Sequence, residues 1–261
     1  MRRVIAFSCE AETLIGSLDE AAGTTGLLIV SGGNEPRMGA HRGMALLAAR
    51  VAATGSPVFR FDRRGVGDAA GENGGWESSA PDLAAAAAEF RRAVPGLTRI
   101  VGFGNCDAAT ALALFGAAAG IDALVLANPW VVEHRGDLPP TAAIRARYAE
   151  RLFSLRAWGR LVRGRIDLRK AIRGLWAITQ RRAEVPLARR FAASLAGRAA
   201  TIVLAKGDAT AIAFRDAIDG LGTAAEMITI DSDSHSFARS GDAEALEHVV
   251  IGALAVEPSR A

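Results

Sequence analysis

Three residues that could together cleave an acyl bond, Cys106, Asp208 and His235, each follow a short apolar run of the sequence. A cysteine thiolate attacks carbonyl carbons, a histidine accepts and returns the proton, and a carboxylate orients the imidazole and stabilises its cation. The cysteine chemistry passes through a thioester, which water or another acceptor must resolve. These residue types predict a Cys-His-Asp triad, so the elements around them must bring the three side chains together.

The segment around Cys106 has the pattern of a strand, a sharp turn and a helix. Residues 100–103 are apolar and predict a buried strand, and residues 109–115 are small or apolar and predict a helix. Gly104 and Ala108 lie two residues before and after the tip, where a strained turn needs small side chains. We interpret the segment as a nucleophile elbow, in which the helix N-terminus and a histidine favour the thiolate. The alternative is a small, buried, unreactive cysteine.

An oxyanion hole is expected beside such an elbow. One donor is the backbone N–H after the nucleophile, and the second comes from the loop after an earlier strand. These donors are predicted to be the backbone N–H groups of Asp107 and Asn34. His41 follows the second loop and is a candidate pocket residue, as is Trp130 after the predicted strand 122–126.

The sequence offers alternatives to the histidine and the acid. His248 falls in the predicted closing helix and is interpreted as structural, whereas His41 and His134 remain open. Asp231 and Asp233 lie so close to His235 in sequence that we expect them to shape its loop. The remaining candidates are Glu133 as a weaker acid, and Ser78 and Ser79, which lack an elbow and are interpreted as helix caps.

The apolar pattern predicts about eight strands in a mostly parallel sheet covered by helices on both faces, the α/β class. Sites in such sheets form at the carboxyl ends of the strands. The triad residues and Asn34 all follow predicted strands, which places them at one edge. The predicted strands are 3–8, 12–18, 26–31, 57–61, 100–103, 122–126, 201–204 and 226–230, and the predicted core helices are 41–53, 82–93, 109–115 and 246–256.

A basic segment interrupts this rhythm. Residues 131–199 carry sixteen Lys or Arg and five Asp or Glu, although the whole chain has a net charge of only +3. Apolar residues recur there every three or four positions, so we predict a helical cap inserted into a core of residues 1–130 and 200–261. An amphipathic cap over the site is the favoured interpretation. Contact with an anionic membrane, or attraction of an acidic saccharide or carboxylate, are the alternatives.

Several other classes of protein fit the sequence poorly. Its two cysteines, Cys9 and Cys106, make neither a disulfide framework nor a metal-binding spacing, and no cofactor or metal is expected. A dinucleotide-like pattern at 102–108 lies too far from the first βαβ unit to predict nucleotide binding. No nucleic-acid module accompanies the basic charge. No signal peptide or membrane span is apparent, so we expect a cytoplasmic location.

The chain resembles an α/β-hydrolase over nearly its whole length. The features that carry this resemblance are the Asp62-x-Arg64-Gly65-x-Gly67 loop, the elbow, and the order of nucleophile, acid and histidine along the chain. Cysteine replaces the family's usual serine, and Ala108 replaces its last glycine. The resemblance implies hydrolysis of carboxylic ester, thioester or lactone bonds in a small-molecule acyl substrate. An acyltransferase using the same triad, or a non-catalytic binding protein using the basic cap, are the alternatives; the oligomeric state stays open.

More narrowly, the chain is similar to bacterial hydrolases associated with exosortase and exopolysaccharide gene clusters. The matching segments are Ser31-Gly32-Gly33-Asn34, Gly39-Ala40-His41-Arg42, Cys106-Asp107-Ala108 and Leu126-Ala127-Asn128-Pro129-Trp130. The elbow also resembles the cysteine-containing elbow of dienelactone hydrolases.

Overall fold

A computed structural model describes residues 1–132 and 186–256 of the chain. Its centre is an eight-stranded sheet with the strand order β1-β2-β4-β3-β5-β6-β7-β8. The strands are β1 Arg2–Cys9, β2 Glu12–Asp19, β3 Thr25–Val30, β4 Val58–Phe61, β5 Arg99–Asn105, β6 Ala123–Ala127, β7 Ala199–Ala205 and β8 Glu226–Ile230. The sequence prediction of a mostly parallel eight-stranded sheet is confirmed.

The pairing of the strands sets which loops meet. β1 and β2 form an antiparallel hairpin, and β2 also pairs antiparallel with β4. From β4 to β8 every neighbouring pair is parallel. Because parallel strands end at one edge of a sheet, the loops after β3, β5, β7 and β8 lie at a common edge.

Helices cover both faces of the sheet. They are α1 Gly43–Ala53, α2 Ala80–Ala93, α3 Asp107–Phe115, α4 Pro186–Ser194, α5 Ala209–Ile218 and α6 Asp242–Ala255. Side chains of α1 and α6 pack into one buried apolar cluster, and those of α2, α3, α4 and α5 pack into another. None of the helices in the described ranges is long and apolar enough to cross a membrane.

Strand β3 shows how the sequence supplies both clusters. Leu27 and Ile29 join the cluster under α1 and α6, whereas Leu28 and Val30 join the opposite one. All four side chains are at most 1% exposed. Successive side chains point to opposite faces, so a strand buried on both faces is apolar at every position.

The structure differs from the sequence prediction at the end of the basic segment. Helix α4 and the following turn pack into the core: Leu187, Phe191 and Leu195 are buried, and Phe191 meets Phe214 of α5 edge to face at 5.4 Å. Strand β7 already begins at Ala199. The predicted cap, 131–199, therefore includes residues 186–199 that belong to the core, and positions 133–185 lie outside the described residues.

Candidate active site

Cys106 occupies a sharp turn between β5 and α3. Its backbone has φ 61° and ψ −126°, a region that side chains other than glycine rarely adopt and that stores local strain. The Cys106 N–H donates to the Ala127 carbonyl at 3.0 Å, and its own carbonyl accepts from Trp130 N–H at 3.1 Å. These two bonds tie the strained residue to the end of β6.

Small side chains around the turn are a steric requirement. A Cβ added to Gly104 would lie 2.9 Å from the backbone carbon of Ala108. A Cβ added to Gly32, in the loop after β3, would lie 2.5 Å from the Asn105 carbonyl oxygen and 3.4 Å from Cys106 Cβ. The 2.9 Å and 2.5 Å approaches leave no room for a side chain, so both positions require glycine. The turn therefore closes tightly, and the loop after β3 packs against it.

The structure brings the three side chains predicted from the sequence to one site. His235 Nδ1 hydrogen-bonds Asp208 Oδ1 at 3.0 Å, and the Cys106 side chain is close enough to raise the pKa of the His235 ring. Because Nδ1 faces the carboxylate, Nε2 is left for the sulfur. Asp208 is only 7% exposed and is the N-cap of α5, where its second oxygen accepts from Ala211 N–H at 3.0 Å.

These contacts shift the pKa values of Asp208 and His235 in opposite directions. The hydrogen bond to Asp208, followed by the Cys106 side chain, raises the pKa of His235 to about 10 against an ordinary 6.5, and outweighs the opposing effect of burial. Burial raises the pKa of Asp208, but the His235 contacts and the backbone N–H groups of α5 outweigh it and the net shift is downward. At neutral pH the arrangement is therefore a carboxylate beside an imidazolium, and an imidazolium can donate a proton as a general acid.

The second cysteine has a different environment. Cys9 is 2% exposed, and its thiol donates to Asp82 Oδ1 at 3.3 Å. Burial, together with this carboxylate, raises the pKa of the Cys9 thiol to about 11. A buried thiol with a raised pKa is a poor nucleophile, so the chemistry of the two cysteines is expected to differ.

The two predicted oxyanion donors belong to the loop after β3 and to the first residue of α3. We call residues Ser31–Asn34 the oxyanion loop. Asp107 begins α3, so its N–H points out of the helix N-terminus. In the part of the chain that the structure describes, the N–H groups of Asn34 and Asp107 have no hydrogen-bond acceptor. Unpaired donors next to a nucleophile are what an oxyanion hole requires.

Two asparagines that the sequence prediction did not assign hold the histidine loop. Asn105 ends β5 and Asn128 follows β6, and the Nδ2 group of each donates to the His235 carbonyl at 3.1 Å. Asn128 Oδ1 accepts from Ala205 N–H at 2.8 Å, and its φ is 40°. The sequence signal that could have identified these asparagines is a polar residue at or just after the end of a buried strand. Cys106 and Asp208 were selected by the same criterion.

The side chain of Asp107 was also missed, because only its backbone N–H was considered. Its Oδ1 accepts from Gly33 N–H at 2.6 Å, and its Oδ2 from Arg63 Nη2 at 3.2 Å. Arg63 Nη1 donates to Ser79 Oγ at 3.0 Å. Ser79 stands at the N-cap of α2 without capping it, so the interpretation of its side chain as a helix cap is corrected. Ser78 likewise bonds the Gly75 carbonyl in a short turn.

The other candidates are dispersed. His41 is exposed in a short turn before α1, with φ 52°, and no hydrogen bond joins it to the triad among the described residues. His248 is exposed on α6, and Asp231 and Asp233 pair with Lys206 and Arg239 respectively. Glu133 and His134 lie outside the described residues.

Trp130, by contrast, adjoins the elbow. It lines a cavity of about 90 Å³ with Val131, Val132 and residues of α5, including Thr210 and Phe214. Its indole meets Trp76 edge to face at 6.4 Å. Within residues 1–132 and 186–256, no three of His, Cys, Asp and Glu converge as metal ligands.

Comparison with known proteins identifies the fold. No protein-family model matches the sequence, and no curated protein matches it. The α/β-hydrolase GrgF from Penicillium sp. sh18 is similar over 97% of this chain and 98% of its own, with a TM-score of 0.66 and 15% identity. A Pyrococcus furiosus esterase is similar over 97% and 90%, with a TM-score of 0.65 and 15% identity.

A thioesterase domain from the curacin biosynthetic pathway is similar over 96% of this chain and 99% of its own, with a TM-score of 0.56 and 12% identity. The three structures share the layered sheet over nearly their full lengths, although the sequences have diverged widely. The described chain therefore has the α/β-hydrolase fold.

Proposed function

We propose that this protein is a hydrolase of carboxylic ester, thioester or lactone bonds that uses Cys106, His235 and Asp208. The observation that carries the proposal is the hydrogen bond between His235 Nδ1 and Asp208 Oδ1, together with the influence of the Cys106 side chain on the pKa of the same imidazole. Cys106 lies at a strained strand–turn–helix, beside two unpaired backbone donors. The esterase and thioesterase among the structural neighbours support acyl chemistry.

The first half of the proposed reaction forms an acyl-enzyme. The Cys106 thiolate attacks the acyl carbon, and the C=O π electrons move to the oxygen, which the N–H groups of Asn34 and Asp107 receive. The tetrahedral intermediate then collapses, the bond to the leaving group breaks, and His235 gives its Nε2 proton to that group. A thioester on Cys106 and a neutral imidazole remain.

The second half uses the neutral imidazole as a base. Cys106 contributes to the raised pKa of His235, and a thioester sulfur carries no negative charge. Acylation therefore lowers the pKa of His235 towards the working range of a general base. His235 takes a proton from water, the hydroxide attacks the thioester carbon, and the thiolate leaves as the imidazolium re-forms.

Short p-nitrophenyl esters and a thioester provide the test. We expect Cys106→Ala and His235→Ala each to lower turnover by at least about 10³-fold, because members of a triad act as a unit. Cys9→Ala is the matched control, and its turnover should stay near that of the wild type. Equal background rates in all four proteins, with a substrate panel of varied acyl length, would contradict the proposal.

The covalent intermediate gives a second measurement. Brief mixing with the ester should add one acyl group to the peptide that contains Cys106, and hydroxylamine should remove it. Mass spectrometry of digested protein separates this peptide from the one that contains Cys9. An acyl group elsewhere, or none during steady turnover, would mean that another residue performs the chemistry.

An acyltransferase with the same triad is the nearest alternative, since an alcohol or amine can replace water in the second half. The two activities are separated by product partitioning. With an added alcohol or amine acceptor, a transferase releases acylated acceptor while a hydrolase releases the free acid.

A binding protein that uses the basic segment 131–199 is the alternative of a different class. Its charge, and the resemblance to exopolysaccharide-associated hydrolases, support an acidic saccharide or an anionic membrane as a peripheral partner. Co-sedimentation with anionic vesicles tests the membrane, using a triple variant of Arg160, Arg163 and Arg165 to Gln as comparison. Membrane contact is supported if the wild type sediments with the vesicles and the triple variant does not. It is excluded if the wild type does not sediment with them.

A further inference from the structure

We propose that Asp107 and Arg63 are positioning residues that clamp the oxyanion loop so that the Asn34 and Asp107 N–H groups face one oxygen atom. This inference rests on the proposed function. It goes beyond the triad because it assigns a role to two charged side chains that the acyl chemistry itself does not use. We call Asp107, Arg63 and Gly33 the clamp.

The clamp holds both the N–H and the carbonyl group of Gly33 in the oxyanion loop. Gly33 N–H donates to Asp107 Oδ1 at 2.6 Å, and the Gly33 carbonyl accepts from Arg63 Nη2 at 2.7 Å. The same Nη2 lies 3.2 Å from Asp107 Oδ2, which closes a ring of three contacts. Gly33 N–H is occupied by Asp107, whereas the N–H of the next residue, Asn34, has no acceptor among the described residues, so we assign Asn34 as the donor.

Burial of Arg63 restricts its contacts. Arg63 is 5% exposed and the Asp107 side chain is 15% exposed, whereas Gly33 is exposed. Ser79 anchors the far side of the guanidinium and is 0% exposed. A charge-assisted contact of a buried guanidinium tolerates little displacement, because breaking it leaves that charge unpaired.

The far side of the oxyanion loop is held as well. Asn73 Nδ2 donates to Asn34 Oδ1 at 2.7 Å, and Asn73 Oδ1 accepts from Gly75 N–H at 2.9 Å. The Asn34 side chain is therefore held by a contact outside the clamp. With the peptide fixed by the clamp and the side chain fixed by Asn73, the Asn34 N–H has a defined orientation.

The charges of the clamp must also cancel. A carboxylate next to an oxyanion hole would oppose the negative charge that develops there, and Arg63 offsets that charge. Removal of Arg63 alone should therefore harm the reaction more than removal of the Asp107 charge alone. The double substitution, which removes both charges, should be less harmful than Arg63→Gln.

The test compares two reactions of the same sulfur. In acylation by p-nitrophenyl acetate, a C–S bond forms and charge develops on the carbonyl oxygen, with p-nitrophenolate as leaving group. In alkylation by iodoacetamide, a C–S bond forms and iodide leaves, so the oxygen gains no charge. A role in holding the oxyanion loop changes the first rate but not the second.

We expect Asp107→Asn to lower the single-turnover acylation rate about 10- to 100-fold, within the effect of losing one oxyanion donor. Arg63→Gln should lower it further, and the double variant should lie between them. Alkylation of Cys106, followed on its own peptide by mass spectrometry, should change by no more than about twofold. The matched control is Glu247→Gln, which removes the ion pair with Arg50 between α6 and α1, and should change neither rate.

Two outcomes overturn the inference when the wild type is acylated. One is acylation of Asp107→Asn and Arg63→Gln at the rate of the wild type. The other is a parallel fall in alkylation, since the pair would then act on the sulfur. Arg63→Lys keeps the charge without the forked donor and replaces Arg63→Gln if that variant does not fold.

Failure of the proposed function gives a different result. Wild-type Cys106 would then be alkylated but not acylated by any ester of the panel. The clamp is judged in that case by amide hydrogen exchange of peptides covering residues 31–35. Exchange should be at least several-fold faster in Asp107→Asn than in the wild type and in Glu247→Gln, and unchanged exchange overturns the inference.

Discussion

His235 couples the charges of the site. Its hydrogen bond with Asp208 and the neighbouring Cys106 side chain both raise its pKa, to about 10. The interaction with His235 in turn lowers the pKa of Asp208. The folded protein therefore binds a proton at His235 more tightly than the unfolded chain does, and the free energy of unfolding must depend on pH.

The stabilisation from His235 is expected to have a defined pH window. It is fully present below the ordinary pKa of 6.5, declines as pH rises from there, and is lost above the folded pKa of about 10. Urea unfolding at several pH values from about 6 to about 10 should therefore show that the difference in free energy of unfolding between wild type and His235→Gln narrows as the pH rises.

Asp208→Asn is the control for this pH dependence. It removes the larger cause of the raised pKa, so the decline in the free energy of unfolding should be smaller and should end at a lower pH than in the wild type. Parallel profiles for all three proteins would show that His235 is not the group responsible.

At the scale of elements, the ends of β5, β6 and β7 are joined to the histidine loop by side-chain amides. Asn128 is 0% exposed and makes contacts in both directions, to Ala205 N–H in β7 and to the His235 carbonyl. Asn105 at the end of β5 reaches the same carbonyl. The strands thus orient His235 through its backbone, while Asp208 orients its ring.

We expect Asn128→Ala to destabilise the protein by about 2–4 kcal/mol. It leaves Ala205 N–H unpaired, at about 1–3 kcal/mol, and places alanine at a φ of 40°. Displacement of the His235 loop should lower kcat more than it changes KM. Denaturant unfolding and steady-state kinetics measure the two effects.

Asn128→Gly separates the two causes. Glycine accepts a positive φ without strain but restores no hydrogen bond, so it should recover part of the stability and none of the kcat. Full recovery of stability by glycine would show that backbone strain, and not the lost hydrogen bonds, explains the cost.

At the scale of the molecule, the described residues form a sheet held between two apolar clusters, and Phe59 joins several elements in one of them. Phe59 of β4 is 0% exposed, stacks on Phe90 of α2 at 5.6 Å and meets Phe7 of β1 at 5.7 Å. A Cβ at Gly16 of β2 would lie 2.3 Å from the Phe59 ring. This ring therefore joins the hairpin, the sheet and a helix layer.

Phe59→Ala is expected to lower the free energy of unfolding by about 3–5 kcal/mol, as is usual for a large buried aromatic side chain. Leu46→Ala is the control, because Leu46 is 46% exposed and surface changes usually stay within about 0.5 kcal/mol. Both are measured by urea unfolding monitored by circular dichroism. A loss under about 1 kcal/mol at Phe59 would mean that the cluster closes over the cavity.

The fold was predictable from the sequence because its signals are local. Buried parallel strands have continuous apolar runs, such as residues 27–30 of β3 and 100–103 of β5, and the β8 bounds agree with the prediction. Helix α5 was not specified, although Asp208 at its start is a capping residue. The role of α4 in the core was also missed, because an amphipathic helix in an arginine-rich segment fits a cap and a core layer equally well.

The sequence by itself determined which residue types follow the strands and that a turn at Cys106 needs small neighbours. Cys106, Asp208 and His235 were found this way, since the carboxyl ends of parallel strands must meet. Only the tertiary structure decided the partners of the buried polar groups: the asparagines on the His235 carbonyl, and Arg63 and Asp107 around Gly33. Such pairs join residues far apart in the chain, and no local pattern restricts which donor meets which acceptor until the elements have packed.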